Sequence, residues 1–202
     1  MIKKILISTL LLLHTSYAVE ATTPTTKKVS APIMTMTDIH GKTYKVKGTE
    51  EGLDIEGLKG KVVFLEFFGH QCPPCLASIP HLINLQNKYK DKLAIVSIEV
   101  QGYDSKRLSA FAKEKGMNYT IISSSSASEV VDYIQQRAQW RGSIPFLVAL
   151  DTKGNVQFVQ AGMLPESSLE DLINQLTPKT INTIDTNKTK QNNIKNTQTT
   201  VK

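Results

Sequence analysis

The sequence predicts an α/β domain in which helices flank a central mixed sheet, and three segments carry this prediction. The run Lys61–Phe68 is rich in β-branched and aromatic residues without polar alternation, which is typical of a strand buried on both faces. The segment Cys72–Lys90 places apolar residues three and four positions apart, as an amphipathic helix does. A second apolar run, Leu93–Val100, predicts another buried strand. Alternating strands and helices are typical of layered α/β domains.

An N-terminal hairpin is predicted ahead of these elements. The residues His40-Gly41-Lys42 are typical of a tight turn, and the strand-like segment Thr43–Val46 follows directly. We therefore expect two short antiparallel strands before the first buried strand.

Behind the second buried strand, the pattern returns to helices. We expect a helix that ends at Gly116 and a short strand at Tyr119–Ile122. A further helix should follow, with Ser126 as its N-cap and Glu129 three residues later as the capping-box partner.

The C-terminal part of the domain predicts a hairpin and a closing helix. The strands Pro145–Leu150 and Val156–Gln160 flank Asp151–Gly154, which has the composition of a turn. The last helix is centred on the apolar positions within Leu169–Leu176, and we expect Glu170-Asp171 to form its acidic first turn.

The first eighteen residues have the layout of a secretory signal peptide. A positive start precedes the apolar run Ile5–Leu13, and Ser16 and Ala18 supply small residues at the −3 and −1 positions of a cleavage site. An uncleaved anchor is the alternative, but the run is far shorter than the roughly 20 residues that span a bilayer. We therefore expect a periplasmic or otherwise extracytoplasmic protein without an integral membrane segment after cleavage.

The remaining boundaries follow from composition. Residues 19–32 are rich in Thr, Pro and Lys and predict a flexible leader, so the folded domain should cover 33–177. Residues 178–202 form a tract of Thr, Asn, Lys and Gln with few large apolar side chains. Such a tract cannot bury enough surface to offset its ordering entropy, so we expect it to be disordered.

The net charge of +6 at first suggests a polyanionic partner. Its distribution argues against this, because residues 1–18 hold two Lys and no acid, and residues 178–202 hold five Lys and one acid. The segment between them carries 17 basic and 17 acidic residues. We therefore expect no nucleic-acid binding by the folded part.

The only two cysteines stand in Cys72-Pro73-Pro74-Cys75, directly after the first buried strand and at a helix start. Sulfurs at this spacing can close and open a small disulfide ring with little effect on the fold. The free N–H groups of a helix start stabilise a thiolate and lower the pKa of the first cysteine. The motif alone favours redox chemistry, while half of a zinc site or a static disulfide remains open.

At this point the chain resembles the thioredoxin-like superfamily, specifically the exported TlpA/ResA/DsbE-type thiol–disulfide oxidoreductases. The resemblance covers about residues 33–176, and the segment Tyr103–Ser126 corresponds to the central helix–strand insertion of that branch. The following motifs carry it: the strand Gly60–Phe68 with Gly69-His70-Gln71 and the cysteine motif, Pro80 five residues after Cys75, the loop Arg141–Pro145, and the hairpin residues Asp38–Thr43.

The resemblance implies roles for the cysteines and for one acid. Cys72 is then the attacking thiolate and Cys75 the cysteine that resolves the mixed disulfide. Glu66, six residues before Cys72, is the candidate proton acceptor for Cys75, with a pKa raised by burial. Two departures stand out: Gln71 replaces the usual tryptophan, and Ser97 replaces the lysine usually paired with the acid.

The prolines have separate expected roles. The resemblance implies that Pro145 is cis and lies against the first cysteine, which leaves the backbone of Ile144 free to pair with an extended substrate; an ordinary edge-strand proline is the alternative. Pro80 should bend the helix that presents the cysteines. Pro73 and Pro74 lack two N–H donors that could have stabilised a thiolate, so we expect a reductant. His70 either adds positive charge near Cys72 or faces solvent, and no role is assigned to it.

The expected function is therefore extracytoplasmic thiol–disulfide exchange with protein disulfides, as a reductant and without cofactor or metal. The resemblance implies clients such as apocytochrome c before haem attachment, and a membrane electron donor of the DsbD type. We expect the protein to be a monomer. A disulfide oxidase or isomerase, or a copper chaperone that uses Cys72 and Cys75 as ligands, remains the alternative.

Overall fold

The computed structural model describes residues 31–178. The predicted signal peptide, nearly all of the leader and all of the tail after Pro178 lie outside the described residues, so these assignments stay predictions. Within the described part, no helix is both long enough and apolar enough to cross a membrane.

The described part contains eight strands and four α-helices. The strands are β1 (Ile33–Thr37), β2 (Thr43–Gly48), β3 (Leu53–Ile55), β4 (Val62–Phe68), β5 (Leu93–Glu99), β6 (Thr120–Ser123), β7 (Phe146–Leu150) and β8 (Val156–Ala161). The helices are α1 (Pro73–Lys88), α2 (Ser105–Lys115), α3 (Ser128–Arg137) and α4 (Glu166–Leu176).

Five strands form the central sheet in the order β6-β5-β4-β7-β8. Strand β4 pairs in parallel with β5, and β5 pairs in parallel with β6, whereas β7 pairs antiparallel with both β4 and β8. The predicted mixed sheet flanked by helices is thereby confirmed. Strands β1, β2 and β3 form a separate antiparallel sheet.

Two apolar cores lie on opposite faces of the central sheet, and β4 contributes to both. Its odd-numbered residues Val63, Leu65 and Phe67 pack with the small sheet and α3. Its even-numbered neighbours Val62 and Phe64 pack with side chains of α1, α2 and α4. All seven residues of β4 are buried, as the uninterrupted apolar run predicts.

Aspartates hold both predicted hairpin turns. Asp38 Oδ1 accepts hydrogen bonds from the backbone N–H groups of His40 and Lys42, each at 2.9 Å, in the turn between β1 and β2. Asp151 Oδ1 does the same for Lys153 at 2.9 Å and Asn155 at 3.0 Å in the turn between β7 and β8. The side-chain oxygens thus satisfy turn N–H groups that have no strand partner.

The N-terminal hairpin carries a third strand that the sequence pattern does not reveal. Strand β3 pairs with β2 through Val46–Ile55, Lys47–Asp54 and Gly48–Leu53. It has three residues, and such a short segment shows no periodicity of its own.

The predicted N-cap of α3 is wrong by one residue. Ser124–Ser126 form a 3₁₀ turn, and α3 follows with Ala127 at the N-cap position and no side-chain cap. The Ser126 hydroxyl instead accepts a hydrogen bond from Ser123 Oγ at 3.0 Å. Glu129 accepts the backbone N–H of Thr35 at 3.3 Å, so its carboxylate serves β1 rather than a capping box.

The acidic first turn predicted for the last helix is also misplaced. Helix α4 begins at Glu166, which is the acid of its first turn, so Glu170 and Asp171 lie in the second turn. Glu170 accepts a hydrogen bond at 2.6 Å from Lys88 of α1. The acid thus contributes to contact between two helices instead of to the helix dipole.

Gly52 is the residue at which the small sheet meets the hairpin of β7 and β8, and we predict that Gly52→Ala is destabilising. A Cβ at Gly52 would overlap the backbone carbonyl oxygen of Gly154. Since that oxygen also accepts the N–H of Leu53 at 2.9 Å, the backbone must move. We expect unfolding free energy to fall by roughly 3 kcal/mol in denaturant titration.

Gly57→Ala is the matched control. Gly57 has φ +79° but open space around its Cα, so alanine there costs only backbone strain of roughly 1 kcal/mol. Equal losses for the two variants would show that the contact with Gly154 does not matter.

Candidate active site

The two cysteines form a disulfide at the N-terminus of α1. Cys72 is the N-cap residue, and its Sγ lies 3.3 Å from the backbone N of Cys75. Cys72 is 8% exposed and Cys75 is fully buried. A partner sulfur can therefore approach Cys72 but not Cys75, as the proposed division of roles requires.

The two intervening prolines occupy the first helical positions of α1. Because Pro73 and Pro74 have no N–H, they leave Cys75 N–H as the first-turn donor at the sulfur of Cys72. Pro80 lies inside the same helix on its exposed side. Its backbone nitrogen has no hydrogen to donate to the carbonyl of Leu76. The bend of the helix that we expect at Pro80 stays a prediction.

The peptide bond between Ile144 and Pro145 is cis, as predicted. The carbonyl oxygen of Ile144 lies 3.8 Å from the Sγ of Cys72. The carbonyl of Pro145 accepts the N–H of Gly162 at 2.8 Å, which ties this loop to the end of β8. Among the described residues, the N–H of Ile144 has no hydrogen-bond acceptor, so this backbone position is open to a partner chain.

The only tryptophan of the chain anchors the loop that leads to the cis proline. The indole N–H of Trp140 donates to the carbonyl of Ser143 at 2.7 Å. Its ring lies 5.4 Å from that of Phe146 with nearly parallel planes, and 4.6 Å from that of Phe67. Trp140 therefore attaches the loop to strands β4 and β7.

Glu66 lies on the face of β4 that is covered by α1, below the cysteine pair. Its carboxylate accepts hydrogen bonds from Ser97 Oγ at 2.5 Å and from Ser78 Oγ at 3.4 Å. Burial raises the pKa of Glu66 to about 7, and the Ser97 and Ser78 hydrogen bonds act in the opposite direction. The acid can therefore change its protonation state near neutral pH.

His70 neither faces solvent nor adds a free positive charge beside Cys72. Its Nδ1 lies 2.8 Å from Oε1 of the fully buried Glu99, and its ring stacks on Tyr103 at 3.6 Å. Any positive charge on His70 is therefore matched by a carboxylate. The neighbouring Gln71 N–H donates to Oε1 of Gln101 at 2.7 Å, so the turn before Cys72 is attached to the loop after β5.

Two side chains of this site, Ser78 and Glu99, are not predicted by the sequence analysis. Ser78 lies one turn after Cys75 on the same helix face and hydrogen-bonds to Glu66. The sequence does carry one indication of this, because Ser78 is a polar residue among the apolar positions of α1. Glu99 accepts hydrogen bonds from the backbone N–H groups of Gln101, Gly102 and Tyr103, and no local sequence pattern predicts this role.

Among residues 31–178, no group of three or more His, Cys, Asp or Glu side chains is arranged to hold a metal ion. His70 and His81 do not converge with the two sulfurs on such a group.

The model of the Redoxin family matches residues 24–174, which is most of the chain. The chain belongs to the Redoxin family. Its resemblance to the TlpA/ResA/DsbE type is confirmed, and so are the thioredoxin-like fold and a thiol–disulfide oxidoreductase activity centred on a Cys-x-x-Cys pair.

Individual relatives agree with this assignment. The thiol-disulfide oxidoreductase ResA of Bacillus subtilis (strain 168) is 28% identical over 149 residues, which cover 73% of this chain and 74% of ResA. The thioredoxin-like protein YneN of the same strain is 29% identical over 122 residues, which cover 59% of this chain and 68% of YneN.

A solved structure shows the same fold. The thiol:disulfide interchange protein of Chlorobium tepidum TLS superposes with a TM-score of 0.60 at 22% identity, covering 74% of this chain and 96% of its own.

Glu66→Gln tests the burial of this carboxyl, because its raised pKa links stability to pH. The folded state holds the proton up to about pH 7, whereas an unfolded glutamate loses it near pH 4.5. The contribution of Glu66 to stability should therefore be fully present below pH 4.5 and fall by about 3 kcal/mol as the pH rises to 7.

The variant should lack this fall, so that Glu66→Gln is the more stable protein at pH 8 by about 3 kcal/mol. Chemical denaturation of the oxidised proteins at pH 4.5 and 8 measures the difference. Glu129→Gln, which changes an acid with a hydrogen bond to β1, is the control and should keep the wild-type pH dependence. Parallel curves for Glu66→Gln and wild type would contradict the pKa of Glu66.

Proposed function

We propose that this protein reduces protein disulfides outside the cytoplasm, with Cys72 as the nucleophile. The observation that carries the proposal is the contact between the Sγ of Cys72 and the carbonyl of Ile144, 3.8 Å apart beside the cis proline. It brings the more exposed sulfur next to a backbone position that can bind an extended chain.

Substrate binding in this proposal uses the backbone rather than a side-chain pocket. An extended client segment pairs with Ile144, as strands pair at a sheet edge. This pairing places a client cysteine against Cys72 and depends little on the client's other residues. Discrimination among clients then depends on side chains that flank the site, such as Met163, which is 45% exposed.

The exchange proceeds in two balanced steps. The Cys72 thiolate attacks a client disulfide, so that one client sulfur bonds to Cys72 and the other leaves as a thiolate. Cys75 then loses its proton to Glu66 and attacks Cys72. The Cys72–Cys75 disulfide forms, the mixed disulfide breaks, and the second client sulfur leaves as a thiolate that takes up a proton. Two electrons thus pass to the client.

The first turn of α1 supports the direction of electron flow. A strongly oxidising pair requires a well-stabilised Cys72 thiolate, which a helix start provides through its free N–H groups. Pro73 and Pro74 take two of those groups away, and Cys75 N–H remains at 3.3 Å. A less stabilised thiolate gives electrons more readily, which favours a reductant.

The location and the partners rest on other features. The pattern of residues 1–18 supports export by a signal peptide. An exported reductant needs electrons from across the membrane, and we propose a membrane thiol–disulfide donor of the DsbD type. By the resemblance to the DsbE branch, the proposed clients include apocytochrome c before haem attachment. The same motif in an oxidase or isomerase remains the nearest alternative.

We predict that Cys75→Ser accumulates mixed disulfides between Cys72 and client proteins, because nothing then resolves them. The adducts should migrate as reducible bands on non-reducing gels of cells that export the variant. Cys72→Ser is the matched control and should give no such bands. Equal banding of the two variants would show that Cys75 can attack as well, and bands confined to Cys72→Ser would assign the attack to Cys75 instead.

We also predict a reduction potential near that of thioredoxin, at about −270 mV, when the protein equilibrates with glutathione buffers. A potential as oxidising as that of DsbA, about −120 mV, would contradict a reductant and favour an oxidase. Replacing Pro73 by Ala restores an N–H at the first helical position and should make the potential less negative.

A further inference from the structure

The strongest unassigned feature is the way in which the ionised form of Glu66 is accommodated. The carboxyl is 5% exposed, and none of the ion pairs among residues 31–178 includes it. A buried carboxylate without a cation is costly unless hydrogen bonds stabilise it. Among the described side chains, only uncharged hydroxyl groups donate hydrogen bonds to it.

Each carboxyl oxygen has its own hydroxyl partner. Ser97, which lies opposite Glu66 in the β4–β5 register, donates to Oε2 at 2.5 Å. Ser78, from α1, lies 3.4 Å from Oε1. The two hydroxyls therefore approach the carboxyl from the sheet and from the helix, and they fix its orientation below the cysteine pair.

The Ser78 hydroxyl has two acceptors within reach but only one hydrogen. Its Oγ lies 2.8 Å from the carbonyl of Cys75 and 3.4 Å from Glu66. When Glu66 is protonated, Ser78 can donate to the Cys75 carbonyl at the shorter distance. When Glu66 is ionised, the same hydrogen can turn toward the carboxylate. Ser78 thus connects the acid with the residue whose proton it is proposed to take.

The groups that face Glu66 from the other elements do not supply a positive charge. Tyr119, which precedes β6, is buried, and its hydroxyl has no hydrogen-bond partner among the described residues. Burial and the charge of Glu66 raise the pKa of Tyr119, so the phenol stays neutral. Strand β7 and helix α4 contribute the apolar side chains Leu147 and Leu169.

A narrow cleft gives this carboxyl access to water. Glu66 and Ser78 line it together with Pro145 and Leu164, and about 30 Å³ of it is open to water. That volume is enough for one or two water molecules. A proton taken up by Glu66 can therefore leave on the side where a client chain binds.

We propose that Ser97 and Ser78 are positioning residues that replace a cation at Glu66: they hold the carboxyl in place and stabilise its ionised form. This inference rests on the proposed function in one respect only, which is that Glu66 takes the proton of Cys75 during disulfide exchange. The cradle of Ser97 and Ser78 itself is a property of the oxidised protein without a client.

The test is a pH titration of the Glu66 carboxyl by ¹³C NMR of glutamate-labelled oxidised protein, with Glu66→Gln assigning the resonance. Loss of a donor to the ionised form moves the midpoint upward. We expect Ser97→Ala to raise it by about one pH unit and Ser78→Ala to raise it less, because the Ser78 bond is longer. Ser97→Thr keeps the hydroxyl and should restore the wild-type midpoint.

Ser123→Ala is the matched control, because Ser123 is also a fully buried strand serine but bonds to other serines. It should leave the midpoint unchanged. Unchanged midpoints in both Ser97→Ala and Ser78→Ala would overturn the proposal. A shift of equal size in Ser123→Ala would also overturn it, because the effect would then be one of general loosening.

A second measurement separates this proposal from the proposed function. Cys72 of the reduced protein attacks Ellman's reagent, which releases one thionitrobenzoate and leaves the other bonded to Cys72. Attack by Cys75 on Cys72 then releases this second coloured thiolate, and the rate of the second release is measured. If Glu66 takes the proton, the pH profile of release should shift with the NMR midpoint in Ser97→Ala. A shifted midpoint with an unshifted release profile would support the cradle and contradict the role of Glu66 in exchange.

Discussion

The burial of β4 on both faces is the constraint on which the rest of the structure depends. A strand in that position must alternate its side chains between two cores, and its odd residues meet the small sheet while its even residues meet α1. Glu66 has an even number and so lies on the face of β4 that α1 covers, where Ser78 of α1 bonds to it. The cysteine helix begins where this strand ends. One strand therefore fixes both the acid and the sulfurs.

Burying the Glu66 carboxylate costs free energy that its surroundings offset only in part. Burial disfavours its charge, and the two serine hydroxyls offset only part of that effect, so its pKa stays near 7. A cation in place of Ser97 would keep the acid ionised at neutral pH. With neutral partners, the acid is poised between its two forms. This balance suits the proton acceptor that we propose Glu66 to be.

The elements near the site were more predictable than their connections. The buried runs of β4 and β5 and the cysteine helix could be predicted, because each has a strong local pattern. The cis proline was implied by the family resemblance. The start of α3 could not be predicted, because the Ser126 hydroxyl accepts a hydrogen bond from Ser123 and the Glu129 carboxylate accepts one from β1. A capping box is a local signal, and tertiary hydrogen bonds can take its side chains away.

The sequence by itself determined the Cys-x-x-Cys pair, its position at a helix start and the acid six residues before it. These depend on spacing along one continuous segment, which local geometry preserves. The family resemblance already placed Pro145 against Cys72 and Ser97 at the position paired with Glu66. Only the tertiary structure decided the other contacts around them: Ser78 at Glu66 and Glu99 at His70. Those contacts join residues from different elements of the fold, and the packing and register of these elements determine them. No local pattern encodes that register for a polar side chain.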